Sequence, residues 1–324
     1  MTSFQSGLLA LPPESEQVTD ADEEIFLLYA DLQSHTPSAG TGATSFRGLG
    51  HIDSHKDELI VVFELNSVTS PSVQVPSPSR PKKDSRRTRK SGKNIRSAQS
   101  LEVEVRILQD KTALRTRKGD TGSVLWHASV DFARLILQQI HFPDPTAHSL
   151  VDRDKLKECH ILELGAGTGL LGIVLSPLIR KYTITDIDDL VPLIKKNVQL
   201  NVPEFPKDSN LVVTSLDWVT LQQVPPSKRP EVFAFDPVDL VLVVDCIYHP
   251  SLLPSLLETL NFLAIPGTTT VLVVVELRAS DVVTEFLQSW ITMPCWEVWR
   301  IADNGTLMGR PYAMWAGRKA TSLP

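Results

Sequence analysis

The sequence has few cysteines, no long apolar run and no basic amino terminus. Its three cysteines, Cys159, Cys246 and Cys295, lie far apart, without the spacing of a zinc site or a disulfide framework. We therefore expect a reduced, intracellular setting and no metal. Polar residues interrupt the apolar runs within roughly a dozen residues, which is too short for a membrane-spanning helix. Residues 1–17 carry acids but no Lys or Arg, so we expect neither a signal nor a transit peptide.

Positive charge is concentrated in one segment. Residues 80–96 hold nine Lys or Arg and one acid, a local charge of +8, so the remainder of this −6 chain carries −14. An acidic globule with one basic stretch suits a cationic cofactor or a basic protein substrate better than a nucleic-acid groove. The wider stretch 67–100 is rich in Pro and Ser. It predicts a disordered insertion, either a solvated loop or an arm that contacts RNA or ribosomes.

Hydrophobic patterning divides the chain into two parts. The insertion separates two predicted strands, 58–65 and 101–108, whose pairing would form a β-hairpin-like extension. We assign residues 1–118 to this N-terminal extension and residues 119–324 to a second domain.

Apolar strands alternate with amphipathic helices in the second domain. Strands are predicted at 160–164, 182–186, 211–215, 238–244 and 270–276, with helices between them. Continuous apolar strands flanked by helices predict a Rossmann-like, mostly parallel sheet with helices on both faces. Two late strands, 296–301 and 312–317, follow one another directly, so the last strand should be antiparallel. The predicted fold class is α/β with a seven-stranded sheet.

The stretch ELGAGTG predicts a nucleoside-cofactor site. An apolar strand ends near Glu163 and turns through Gly165, Gly167 and Gly169 into a helix. Glycine has no Cβ and tolerates positive φ, so a ligand can approach this backbone closely. Asp186 ends the next strand, where an acid can accept hydrogen bonds from ribose hydroxyls.

The residues around this turn favour a cationic cofactor. A literal G-x-G-x-x-G starts at Gly167, which leaves a nicotinamide dinucleotide as an alternative. However, the turn already begins at Gly165, and the carboxylate of Glu163 would repel a pyrophosphate. Together with Asp186 and Asp217, that carboxylate suits S-adenosylmethionine, which is cationic at both its sulfur and its amine.

Two motifs carry a family resemblance. ELGAGTG resembles the first motif of class I, seven-strand S-adenosylmethionine-dependent methyltransferases. Asp245-Cys-Ile-Tyr248 resembles the D-x-x-Y signature of methyltransferase family 16, whose members methylate protein lysines. The resemblance covers about 119–317 and implies that 119–324 is the methyltransferase domain. The two N-terminal strands, the long insertion and the PYAMWAG strand look most like the fungal ribosomal-protein lysine methyltransferases of this family.

The resemblance also implies roles for individual cofactor-binding residues. Gly165 and Gly167 would pack against the methionine portion of the cofactor, and Asp186 would bind the ribose hydroxyls. Asp217 and Trp218 would border the adenine.

Three further residues complete the expected site. Trp126 is similar to the tryptophan that covers the cofactor. Asp245 would attract and orient the lysine ammonium, while Tyr248 would line the narrow channel that the lysine enters.

Several alternatives stay open at this point. The chain could be a dinucleotide oxidoreductase, a nucleic-acid or small-molecule methyltransferase, or a noncatalytic adaptor that binds RNA or ribosomes. The sequence DCIY lacks the prolines of the N/D-P-P-Y/F/W motif typical of adenine methylation. We expect a ribosomal or translation-associated protein substrate, no membrane partner, a monomer, and a cytoplasmic location with the nucleus also open.

Overall fold

The computed structural model describes residue 4 and residues 7–34, 50–67, 100–110 and 121–321. The basic segment 80–96 and nearly all of the predicted insertion lie outside the described residues.

Strands and helices alternate through most of the described chain. The strands are β1 (Glu16–Gln17), β2 (Glu58–Asn66), β3 (Ser100–Leu108), β4 (His160–Leu164), β5 (Lys181–Asp186), β6 (Leu211–Ser215), β7 (Leu240–Val244), β8 (Thr270–Glu276), β9 (Trp296–Arg300) and β10 (Tyr312–Lys319). The helices are α1 (Ala21–Ser34), α2 (His127–His141), α3 (Arg153–Leu156), α4 (Leu170–Leu175), α5 (Val191–Asn201), α6 (Trp218–Gln223), α7 (Arg229–Val232), α8 (Leu253–Leu263) and α9 (Ser280–Ile291). Short 3-10 turns occur at Ser176–Leu178, Pro226–Lys228 and Pro250–Leu252.

The central sheet confirms the predicted fold class. Its order is β1-β9-β10-β8-β7-β4-β5-β6, and β4 to β8 run parallel. The last strand, β10, is antiparallel to both β8 and β9, as expected from the two late strands. The sheet also gains an unpredicted eighth member at its edge, because β1 pairs antiparallel with β9. A strand of two residues is too short to show a periodic pattern in the sequence. Its pairing depends on contacts with distant residues, such as the hydrogen bond from the Arg300 guanidinium to the Glu16 carboxylate, 2.7 Å long.

Helices cover both faces of the sheet. Every residue of β4, β7 and β8 is buried, as expected for strands packed on both sides. One core lies between the sheet and α2, α4, α5 and the β2–β3 hairpin. The other lies between the sheet and α1, α6, α8 and α9, and includes the fully buried Trp290 and Trp315. Burial of each such large side chain contributes roughly 1.5–3 kcal/mol.

The N-terminal hairpin is tied to the sheet through α5. β2 and β3 pair antiparallel along their whole length, as predicted. The outer edge of β3 meets two asparagine side chains. Asn201 accepts from the Arg106 N–H at 2.9 Å and donates to its carbonyl at 2.8 Å, and Asn197 makes the same pair of bonds with Leu108 at 2.8 and 3.0 Å. These amides satisfy backbone groups that an edge strand would otherwise leave exposed.

Local chemistry sets two of the helix ends. α4 ends at Leu175 and continues as a 3-10 turn, because Pro177 lacks the N–H that an α-helix needs. α1 begins at Ala21, where Asp20 accepts from the N–H groups of Asp22 and Glu23. No helix in the described ranges has the length and apolar content needed to cross a membrane.

Candidate active site

A cavity of about 520 Å³ opens at the carboxyl ends of the parallel strands. This edge is where open α/β sheets bind ligands. Seven of the predicted site residues line the cavity, namely Trp126, Gly165, Asp186, Asp217, Trp218, Asp245 and Tyr248. The other two, Glu163 and Gly167, lie behind the lining. The structure thus brings residues from five separate sequence segments to one cavity.

The glycine turn has the backbone that the sequence requires. Gly165 and Gly167 have φ of +63° and +58°, in the left-handed region. A Cβ on Gly165 would lie 2.7 Å from the Cys246 sulfur, and one on Gly167 would lie 2.9 Å from the Gly122 carbonyl oxygen. Side chains at either position would therefore clash with the packed neighbours, so the turn keeps its exposed backbone only with glycine.

Asp186 joins the glycine turn to the end of β5. Its Oδ2 accepts from the Gly167 N–H at 2.7 Å, and its Oδ1 accepts from the Ile187 N–H at 2.8 Å. The residue is 8% exposed and lines the cavity. Each carboxylate oxygen has two lone pairs, so such a carboxylate can accept from hydroxyl donors as well as from backbone N–H groups.

Glu163 is buried beneath the turn. Its Oε2 accepts from the Tyr182 hydroxyl at 3.0 Å. Burial raises its pKa to about 8, the Tyr182 hydrogen bond opposes this rise, and the nearby charge of Asp186 adds to it. A cationic group bound close to Glu163 would lower this pKa again. A carboxyl with this pKa keeps its proton near neutral pH, so its negative charge depends on a cation bound beside it.

Asp217 and Trp218 form the wall opposite the glycine turn. Asp217 caps α6, since its carboxylate accepts from the Val219 N–H at 3.0 Å and from the Thr220 hydroxyl at 2.6 Å. The Trp218 ring comes within 3.3 Å of the point that a Gly165 Cβ would occupy. The ring therefore packs directly against the bare backbone of the turn, and both line the cavity.

Trp126 ends the segment that leads into α2. Its indole N–H donates to the Thr121 carbonyl at 2.8 Å, which fixes the ring. The guanidinium carbon of Arg278 lies 4.9 Å from the ring centroid, within cation–π range.

Asp245 follows β7 with a φ of +60°. Such a conformation costs a non-glycine residue about 1–3 kcal/mol and persists where surrounding contacts impose it. The side chain is 6% exposed; its Oδ1 accepts from the Glu276 N–H at 3.2 Å, and its Oδ2 pairs with Arg278. Burial raises the pKa of Asp245, and the Arg278 charge opposes that rise. The carboxylate therefore already holds a cation from its own chain.

The other residues of the D-x-x-Y segment have distinct roles. Tyr248 is 38% exposed and lines the mouth of the cavity. His249, rather than Asp245, caps the following turn, because its Nδ1 accepts from the Ser251 N–H at 3.3 Å. The Cys246 thiol donates to the Leu164 carbonyl at 3.3 Å, and burial raises its pKa well above the ordinary value. It is thus a packing residue and not a thiolate.

Sequence reasoning missed two contributors to the cavity. Gly122 packs against Gly167, and Arg278 pairs with Asp245. The available signal for Arg278 was a charged residue placed just beyond a strand whose residues 271–275 are all apolar. Nothing in the sequence pattern indicated which carboxylate it would meet.

The cavity fits S-adenosylmethionine on structural grounds. The Gly165 backbone and the Trp218 indole line the cavity together with the carboxylates of Asp186, Asp217 and Asp245. An aromatic wall and an acidic lining suit a ligand that has a flat ring and positive charge. Among the described residues, no group of three or more His, Cys, Asp or Glu side chains is arranged to hold a metal ion.

The chain is similar in sequence to several known proteins. A Schizosaccharomyces pombe protein named diaminohydroxyphosphoribosylamino-pyrimidine deaminase is 34% identical over 187 residues, which are 57% of this chain and 41% of that protein. Protein N-lysine methyltransferase METTL21A of Danio rerio is 33% identical over 38% of this chain and 52% of that protein. Ribosomal lysine N-methyltransferase 5 of Kluyveromyces lactis is 26% identical over 57% of this chain and 70% of that protein.

The chain spans about half the length of the first curated relatives it matches, so their names describe more than the shared part. A sequence model of the lysine methyltransferase family matches residues 107–291, more than half of the chain. This match includes the glycine turn, Asp186 and the D-x-x-Y segment. The chain therefore belongs to the lysine methyltransferase family.

Proposed function

We propose that this protein transfers the methyl group of S-adenosylmethionine to the side-chain amine of a lysine in a protein substrate, with S-adenosylhomocysteine as the leaving group and the lysine's proton released to solvent. One observation carries the proposal. Asp245 and Tyr248 line the same cavity as Gly165 and Asp186, so a lysine that enters beside the D-x-x-Y segment meets the cofactor held at the glycine turn.

The cofactor side of the cavity would hold the donor by its two ends. Asp186 would accept hydrogen bonds from the ribose hydroxyls, and Trp218 would stack beside the adenine. The bare backbone at Gly165 would lie against the methionine portion. The negative charge of Glu163 would balance the positive charge of the methionine ammonium. When bound, S-adenosylmethionine supplies a methyl group activated by the sulfonium charge.

The acceptor side of the cavity, around Asp245 and Tyr248, would favour the neutral form of the lysine amine and orient it. A lysine in water has a pKa near 10.4 and is protonated, whereas the attacking amine must be neutral. The largely buried surroundings of Asp245 would desolvate the ammonium, and a nearby positive charge would lower its pKa further. Asp245 would orient the amine, and Tyr248 would confine the side chain to one approach, since transfer requires alignment with the reacting bond.

We infer a basic protein substrate from the translation apparatus. Outside 80–96 the chain carries a charge of −14, which favours a basic partner. Named relatives include a ribosomal lysine methyltransferase and an EEF1A lysine methyltransferase. We also propose an intracellular monomer, in the cytoplasm or the nucleus.

The decisive experiment is methyl transfer itself. Protein is incubated with radiolabelled S-adenosylmethionine and a lysate of cells that lack the gene, and the lysate is then fractionated. Label that survives nuclease, is lost with protease and co-migrates with methyl-lysine after acid hydrolysis supports the proposal. Label in nucleic acid or in small molecules identifies another methyltransferase, and cofactor binding without any transfer identifies an adaptor.

The basic segment is a separate proposal about substrate delivery. We propose that 80–96 draws the enzyme to ribosomal RNA. Its deletion should slow methylation of intact ribosomal particles and spare the free substrate protein. Equal rates on particles before and after deletion would contradict this role.

A further inference from the structure

Arg278 stands where three parts of the molecule meet. It follows β8, lines the cavity, and pairs with the carboxylates of Asp245 and Glu276, the latter at 3.3 Å. Both carboxylate side chains are only 6% exposed, whereas that of Arg278 is 30% exposed. Buried carboxylates are costly without a partner, and this guanidinium is a shared partner for both acids.

The charges of this trio do not cancel. With both carboxylates ionised, one guanidinium leaves an excess of one negative charge beside the cavity. One additional monovalent cation would balance it. The lysine ammonium of the proposed substrate is such a cation, so Arg278 and a lysine can share the two acids.

The N-terminal extension holds Arg278 from the other side. Gly50 has a φ of +89°, and a Cβ there would lie 3.0 Å from both the guanidinium carbon of Arg278 and Oε2 of Glu276. Its carbonyl accepts from the His127 N–H at 2.8 Å, while the Ile52 N–H donates to the Leu125 carbonyl at 2.9 Å. The segment 50–52 is thereby fastened to the entry of α2.

Arg278 is consequently clamped between the Gly50 backbone and the Trp126 ring. The centroid of the Trp126 ring lies 4.9 Å from the guanidinium carbon. His51 packs edge-on against the same ring, with the two ring centroids 6.0 Å apart. Gly50 lies outside 107–291, the part of the chain that matches the family. A contact from the extension therefore reaches the acceptor side of the cavity.

We propose that Arg278 is a positioning residue, clamped by Gly50 and Trp126, which holds Asp245 in place for the substrate amine. This inference rests on the proposed function and assigns a role in it to the N-terminal extension. Arg278 acts through Asp245 and does not itself take part in methyl transfer. The extension is then part of the acceptor site and more than an attached hairpin.

Gly50→Ala tests the clamp, with Gly305→Ala as its matched control. Gly305 also has a positive φ, +80°, but a Cβ there would meet nothing within 4 Å. Both variants impose backbone strain, and only Gly50→Ala pushes against Arg278. We expect Gly50→Ala to lower the rate of label transfer about tenfold while the Kd for S-adenosylhomocysteine stays within about twofold. Gly305→Ala should match the wild type.

Reactivity of Arg278 toward phenylglyoxal gives a readout independent of activity. Arg318 serves as the internal reference, because it is 26% exposed, pairs with Glu297 and lies 5.1 Å from the Phe4 ring centroid. Peptide mass spectrometry should show faster modification of Arg278 in Gly50→Ala and an unchanged rate at Arg318. Equal rates of Arg278 modification in the wild type and in Gly50→Ala would contradict the proposed clamp.

The pH profile tests the positioning role itself. Within the described part of the chain, the charged groups that act on Asp245 are Arg278 and Glu276. Arg278→Gln removes the counter-ion of Asp245, so the Asp245 carboxyl keeps its proton to higher pH. The acid limb of the profile of rate against pH should therefore shift to higher pH. Arg278→Lys keeps the charge and should leave that limb near its wild-type position while lowering the rate. An acid limb that stays in place in Arg278→Gln would overturn the proposal.

The two proposals fail in different ways. If the wild type transfers no methyl group while Gly50→Ala still exposes Arg278 to modification, the methyltransferase proposal is wrong and the clamp exists. If transfer occurs and both Gly50→Ala and Arg278→Gln behave like the wild type, the clamp plays no part in the reaction.

Discussion

The two sides of the cavity are built in different ways. On the proposed cofactor side, the glycine turn and Asp186 are close in sequence, because they lie within about twenty residues and bond directly through the Gly167 N–H. The proposed acceptor side is assembled from distant segments, since Asp245, Arg278 and Gly50 come from three parts of the chain. A short motif can specify the first, whereas only folding brings the second together. Substitutions on the two sides should therefore affect different steps.

Asp245→Asn should separate the sides most clearly. The amide keeps the shape of the carboxylate but cannot orient an ammonium through charge. We expect the rate of label transfer to fall about a hundredfold or more, with the Kd for S-adenosylhomocysteine unchanged in calorimetric titration. A comparable loss of cofactor affinity would show that Asp245 belongs to the cofactor side.

Asp186→Ala should weaken cofactor binding more than methyl transfer, which is the opposite of the effect expected for Asp245→Asn. Loss of hydrogen bonds from ribose to a charged acceptor should weaken the cofactor Kd about tenfold or more, while transfer at saturating cofactor changes less. Asp188→Ala is the control, because Asp188 lies in the same turn but outside the cavity lining. If both variants bind alike, the ribose contact is not with Asp186.

Glu163→Gln should alter how stability depends on pH. The pKa of Glu163 is about 8 in the folded protein, above the ordinary value of 4.5, so the folded state keeps a proton that the unfolded state has lost between these values. The wild type should therefore lose stability as pH rises from 5 to 8, and the variant should lose less. Thermal unfolding at pH 5, 6.5 and 8 measures this. Glu204→Gln, at an exposed site, should keep the wild-type slope.

Tyr248→Phe should give the smallest change. The ring still lines the mouth of the cavity, and only the hydroxyl is lost, which corresponds to about 1 kcal/mol, or roughly fivefold in the rate of transfer. Cofactor affinity should stay the same. A much larger loss would indicate that the hydroxyl contacts the reacting amine.

The sequence predicted the sheet well, because its central strands are apolar on both faces and its helices carry regular periodicity. The sequence did not predict the features that depend on contacts between residues far apart in the chain. The strand β1 has two residues and no pattern, yet Arg300 and Val298 hold it at the sheet edge. The asparagines that join α5 to β3 look like ordinary surface residues in the sequence. Their role appears only when a strand edge lies beside the helix.

Sequence alone determined the glycine turn and the position of Asp186, because the steric demands at Gly165 and Gly167 and the end of an apolar strand at Asp186 are visible in short stretches of sequence. It also indicated Asp245 through the D-x-x-Y pattern. Only the tertiary structure decided that Asp245 pairs with Arg278 and that Gly50 and Trp126 clamp this arginine. Ion pairs and close backbone contacts depend on distances across the fold, and no periodicity along the chain encodes those distances.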